Sequence, residues 1–136
     1  MNSLLVMIGG ALGALGRYQF GRMAGQVLGT GWPWGTLGVN ILGGLVMGLL
    51  AGWLARHGTP SGEQVRLLIG VGVLGGFTTF SAFSLETALM IERGQMGVAA
   101  LYALLSVCLS VLALFGGLFT MRAVAWKVCL VIRTVT

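Results

Sequence analysis

From Val65 to Ile91 the chain is a nearly unbroken apolar run, yet its centre reads Gly75-Gly76-Phe77-Thr78-Thr79-Phe80-Ser81-Ala82-Phe83-Ser84, a glycine pair followed by hydroxyls and aromatics. Hydrocarbon offers no hydrogen bonds. A backbone broken at bilayer depth therefore survives only where protein or a water-lined cavity satisfies the freed amides and carbonyls. A break in this run marks a candidate ion site.

The rest of the chain has the same apolar character. Of its 136 residues, 57% are apolar and 8% charged, and the mean hydropathy is +0.96, which points to an integral membrane protein rather than a soluble globule. A spanning helix takes roughly 20 residues, so the length predicts an all-α domain of four transmembrane helices, 4–27, 36–54, 65–91 and 98–121, the third broken mid-membrane. Gly29 to Pro33 and Arg56 to Gly62 read as connections, and Lys127 and Arg133 as part of a short tail. No alanine-type cleavage site follows the first run, so that run is expected to remain as a membrane helix.

Four spans put Arg56, Arg66, Arg122, Lys127 and Arg133 on the side of the amino end, and Arg22 and Arg93 on the other, with Arg17 deeper in the first helix. The positive-inside rule then favours a cytoplasmic amino end, but three of those five basic residues cluster at the carboxyl end, so the bias permits either orientation. The net charge of +5 is an ordinary excess for a membrane protein. Nucleic-acid binding would need a basic soluble face, which is missing.

Glycines recur every fourth residue. Gly9, Gly13, Arg17, Gly21, Gly25 and Gly29 form one stripe, and Asn40, Gly44, Gly48 and Gly52 another. Such stripes let helices approach closely in lipid, where no hydrophobic drive brings them together. Most of these glycines need no other explanation. Arg17 and Asn40 do, because a polar side chain turned into a bundle at membrane depth must find a partner or face water.

In the fourth helix Tyr102, Ser106 and Ser110 stand four apart and share a face. Serines in membrane helices often bond back to their own backbone, but beside Asn40 they form a set of neutral donors that can replace part of an anion's hydration shell. Phe80 and Phe83 share a face of the third helix. As packing residues they need no function, whereas their positive ring edges would attract a small anion. Glu86 is the one acid well inside a span, a candidate proton carrier or a helix-bonding or vestibule residue.

Conventional chemistry lacks its parts. The chain has no Asp, one His (His57, in an expected loop) and no His/Cys/carboxylate cluster for a transition metal. Cys108 and Cys129 form no close motif. No hydrolase triad is available, and the glycine runs carry no phosphate-loop lysine, so nucleotide binding is excluded along with enzymatic function.

Three segments carry a resemblance: Gly9-Gly10-Ala11-Leu12-Gly13-Ala14-Leu15-Gly16-Arg17-Tyr18, Gly35-Thr36-Leu37-Gly38-Val39-Asn40-Ile41-Leu42-Gly43, and Gly75-Gly76-Phe77-Thr78-Thr79-Phe80-Ser81. In order and spacing they resemble the signatures of Fluc-type (CrcB-like) fluoride channels. That resemblance implies a dual-topology antiparallel homodimer in the bacterial inner membrane, passively exporting fluoride through two pores and so relieving fluoride toxicity. It also implies a central structural sodium ion at the dimer interface, with Gly75 and Thr78 at the family's backbone-carbonyl ligand positions. Asn40, Phe80 and Phe83 match pore positions, and Ser106 and Ser110 match pore-facing hydroxyls. Tyr102 joins them on the serine stripe. Arg17, Thr79, Ser81 and Glu86 are candidate vestibule or structural polar groups. The departure is Ala82, where the family pattern usually carries a hydroxyl. The fold should survive it, because alanine is small and helix-compatible.

Two other functions fit the size. A proton-coupled four-helix exporter would normally place its acid in the first helix, which has none here. A non-transporting assembly subunit accounts for the glycine stripes but not for Asn40 or the hydroxyl-rich break.

Overall fold

The computed structural model describes residues 2–55 and 60–135, with the side chains of 60–61 and 124–135 left aside. Arg56 and His57 therefore lie outside the described residues, as do the side chains of Lys127, Cys129 and Arg133. Every regular element is helical. The order is α1 (Asn2–Leu28), α2 (Trp34–Leu54), α3 (Pro60–Val65), a π-helical segment (Arg66–Leu74), α4 (Gly75–Phe77), α5 (Phe80–Glu92) and α6 (Met96–Val135).

The boundaries follow from local chemistry. Leucine, alanine and methionine recur through α1, α2, α5 and α6. α1 stops where Gly29 takes a φ of +81°, a left-handed conformation glycine adopts without a Cβ clash. α5 ends in a Schellman turn: Gly94, at φ +74°, donates to the Ile91 carbonyl and Gln95 to the Met90 carbonyl, both at 2.9 Å.

Two boundaries differ from the sequence reading. Pro60 to Gly62 are helical rather than connecting, since proline at a first helical position has no N–H to lose from the ladder. The last helix does not end near Met121 but continues to Val135, so Lys127 and Arg133 sit on its final turns. No glycine or proline after Gly117 stops it.

Among the described residues three stretches are long and apolar enough to cross a membrane: Trp34–Leu54, Gly62–Glu92 and Met96–Ala123. α1 is 27 residues long but carries Arg17, Gln19, Arg22 and Gln26 in its second half, which lowers its hydropathy.

α2 lies along α6, and α1 lies along the π segment and α4. The glycine stripes make both contacts. A Cβ on Gly48 would collide with the Leu114 carbonyl oxygen, one on Gly44 would come within 2.6 Å of the Ser110 oxygen, and one on Gly13 would collide with the Val73 carbonyl oxygen. Backbone faces backbone at each place. Gly48→Val should therefore force α2 and α6 apart at a cost of about 1–3 kcal/mol or more. Thermal unfolding of the detergent-solubilised protein checks this, and an unchanged midpoint would show that the helices can separate freely. The second half of the α1 stripe behaves differently, since Gly21 and Gly25 would meet no neighbour with an added Cβ. They leave space rather than close it.

Few large side chains are buried. Leu37, Met90, Ala99 and Tyr102 form the core, with Trp32, Ile41 and Phe83 packed on it. Large apolar residues such as Leu12, Leu104 and Phe119 face outward, as expected where the solvent is lipid.

Candidate functional site

The break in the third rod narrows to two residues. Thr78 (φ −80°, ψ 158°) and Thr79 (φ −151°, ψ 118°) are extended between α4 and α5. α5 restarts immediately because the Thr79 hydroxyl caps it, accepting from the Ala82 N–H at 3.2 Å. Thr79 Oγ1 also lies 3.3 Å from Ser81 Oγ.

Two side chains from other helices satisfy the exposed backbone. Asn40 Nδ2 donates to the Thr79 carbonyl at 3.1 Å, and Asn40 Oδ1 accepts the Thr79 N–H at 2.9 Å. Only one orientation of the amide allows both bonds. Arg17 Nη1 donates to the Thr78 carbonyl at 3.3 Å. The two polar residues that interrupt the glycine stripes thus meet at the two residues where the helix is open. The Thr79 N–H would serve the Gly75 carbonyl in a continuous helix. Its diversion to Asn40 leaves that carbonyl without its usual donor.

Glu86 ties three helices together. Its Oε1 accepts from Thr36 Oγ1 at 2.7 Å and its Oε2 from Tyr102 OH at 2.6 Å. Tyr102 is completely buried, edge-on to Trp32 at 5.7 Å and tilted against Phe83 at 5.4 Å between ring centroids.

Two cavities flank the Asn40–Thr79 pair. One, of about 370 Å³, is lined by Asn40, Thr78, Thr79, Phe80, Phe83, Ser106 and Ser110 together with apolar α2 and α6 residues, and among the described residues no charged group stands in its wall. The Ser106 and Ser110 hydroxyls are buried and have no hydrogen-bond partner, so their donors remain to be used. Asn40 also has one of its two amide hydrogens to spare. Phe80 and Phe83 lie 5.5 Å apart, tilted by 44°, and Phe80 is 77% exposed. The other cavity, of about 400 Å³, is lined by Arg17, Gly21, Gly25, Thr36, Glu86 and Ala82 among others. Thr79 is the one described residue that lines both.

The structure therefore brings together Asn40, Phe80, Phe83, Ser106, Ser110, Thr78 and Thr79, and sets Arg17 and Glu86 in the neighbouring chamber. Tyr102 lines neither; its hydroxyl is committed to Glu86. Gly75 is exposed on this chain, with space where a Cβ would stand. Sequence reasoning missed Thr36 and Trp32. Thr36 stands four residues before Asn40 and so on its face, a signal that was present. Trp32 lines the second cavity from a connection whose packing no periodicity encodes.

Comparison with known proteins gives the relatives of this chain. Residues 4–118 match the family described as CrcB-like protein, Camphor Resistance (CrcB). The Fluoride-specific ion channel FluC of Novosphingobium aromaticivorans is 58% identical over 122 residues, covering 88% of this chain and 95% of that protein. The protein of that name in Phenylobacterium zucineum is 60% identical over 121 residues, covering 89% and 95%. The one in Caulobacter vibrioides is 55% identical over 125 residues, covering 91% and 98%.

Proposed function

The chain belongs to the CrcB-like family, a family of membrane channels and not of enzymes, and on that premise we propose that it is a fluoride-selective passive channel. It works as an antiparallel, dual-topology homodimer of four-span subunits in the bacterial inner membrane, exporting fluoride and so relieving its toxicity.

The observation that carries this reading is the uncharged cavity beside the break. Fluoride is small and holds water tightly, so a pore must replace that water with several short donors. Asn40 has an amide hydrogen to offer, Ser106 and Ser110 have two unpartnered hydroxyls, and Phe80 and Phe83 have positive ring edges. Among the described residues no lysine, arginine or histidine lines the cavity, so none of them would trap the ion there. Adjacent weak sites allow entry and exit alike. Arg17, in the neighbouring vestibule, raises the local anion concentration at the entrance. Phe80, largely bare on one chain, is a natural wall for a partner to complete.

A structural sodium at the dimer interface fits the donors present. The Gly75 carbonyl has lost its usual N–H partner on a residue that is exposed on the single chain, and the Thr78 carbonyl belongs to extended backbone. Oxygens of this kind, at the carboxyl end of a broken membrane helix, are the ones that hold sodium. Bound there, the ion would supply a positive charge against the two half-helix carboxyl ends.

Proton-coupled export fits less well, because both Glu86 oxygens are held by hydroxyl donors, and a passive assembly subunit leaves the cavity without a purpose. Liposomes containing only the purified protein decide among these. Fluoride should leave down its electrochemical gradient while chloride stays and no proton follows. Obligatory proton movement would favour the exporter, and retained fluoride would end the channel reading.

A further inference from the structure

Arg17 stands between the two ions of the proposed mechanism. Its Nη1 reaches the Thr78 carbonyl at 3.3 Å, the same oxygen assigned above to sodium. A carbonyl has two lone pairs and can serve both, but two positive charges then share one atom. At about 5 Å separation and an effective dielectric near 20, that repulsion weakens a cation by on the order of a hundredfold or more, and water in the open vestibule screens it toward about tenfold.

Arg17 forms no ion pair with any described residue. Among the described residues the ion pair is Arg66 with Glu63, and no carboxylate pairs with Arg17. Glu86 lines the same vestibule with its two oxygens bonded to Thr36 and Tyr102, so it acts on Arg17 across the space without contact. Arg22 faces the adjoining space of about 620 Å³ and adds positive charge. The open side of Arg17 looks onto Gly21 and Gly25, where even an added Cβ would touch nothing. An anion has room there.

We propose that Arg17 couples the two sites: its unpaired charge loosens sodium at the Thr78 carbonyl, and an anion in the vestibule relieves that repulsion, so fluoride and sodium bind cooperatively. By linkage, sodium must then raise fluoride affinity by the same factor. The inference rests on the sodium reading, and it makes Arg17 a positioning residue rather than a ligand.

Retention of radioactive sodium by the purified full-length protein in detergent, with fluoride or with a bulky organic anion, tests it. Fluoride should tighten sodium binding of the unaltered protein about threefold or more. Arg17→Gln, which keeps an N–H donor but loses the charge, should bind sodium about tenfold tighter and lose the fluoride effect. Arg17→Lys should keep the effect. Equal sodium affinity in Arg17→Gln and the unaltered protein, or a fluoride effect that persists in Arg17→Gln, overturns the coupling. If Arg17→Gln does not fold, sodium binding of the unaltered protein that ignores fluoride is enough to overturn it. A protein that retains no sodium under any condition overturns the sodium reading as well, a result distinct from sodium bound without regard to the anion.

Discussion

Asn40→Leu should abolish fluoride efflux, lowering the rate by at least about a hundredfold, and should destabilise the folded protein. The amide holds the Thr79 N–H at 2.9 Å and the Thr79 carbonyl at 3.1 Å, and Thr79 is buried. Leucine has about the same size and can do neither. Each backbone group left without a partner costs about 1–3 kcal/mol, so the variant loses about 2–6 kcal/mol. The cavity also loses its amide donor. Asn40→Asp separates the two contributions, because a carboxylate still accepts the Thr79 N–H but faces the carbonyl with like polarity. Thermal unfolding and liposome efflux measured side by side check both effects. A folded Asn40→Leu protein that conducts at the normal rate would show that the break closes without this amide.

The second large effect concerns the rings. Phe80→Ile and Phe83→Ile should each cut fluoride efflux at least about tenfold while size-exclusion chromatography shows the assembly unchanged. Isoleucine is apolar and bulky, so it preserves burial, but it has no quadrupole and no positive edge. The two differ in stability. Phe80 is 77% exposed on the single chain and little should change, whereas Phe83 packs on Tyr102 and its loss costs about 0.5–1.5 kcal/mol beyond area burial. Unaltered flux in both variants removes the aromatic rings from the mechanism.

Much of this architecture is legible in the chain, for reasons that can be traced to particular residues. Apolar runs of spanning length locate α2, the broken stretch Gly62–Glu92 and α6, because in lipid the hydrocarbon thickness itself sets the length. The glycine pair and hydroxyls of Gly75 to Ser84 locate the break, though not its restriction to Thr78 and Thr79, which depends on the Thr79 cap. Asn40 and Arg17 stand out as polar positions in small-residue stripes, yet their partners are backbone groups, and a backbone carbonyl has no letter in the sequence. Tyr102 shows the limit of helical spacing. It shares a face with Ser106 and Ser110, but its long phenol carries the hydroxyl away from their cavity to Glu86. The π-helical register of Arg66–Leu74 leaves no mark in composition, since the same side chains suit an α-helix.

Because Thr79 alone among the described residues borders both chambers, the proposed channel would act as two resistances in series joined at one peptide unit. Substitutions at Ala82, on the outer chamber, would then change how readily ions collect and leave the inner junction intact. Throughput and fidelity can consequently drift apart in evolution, each adjusted by substitutions on its own side of that single residue.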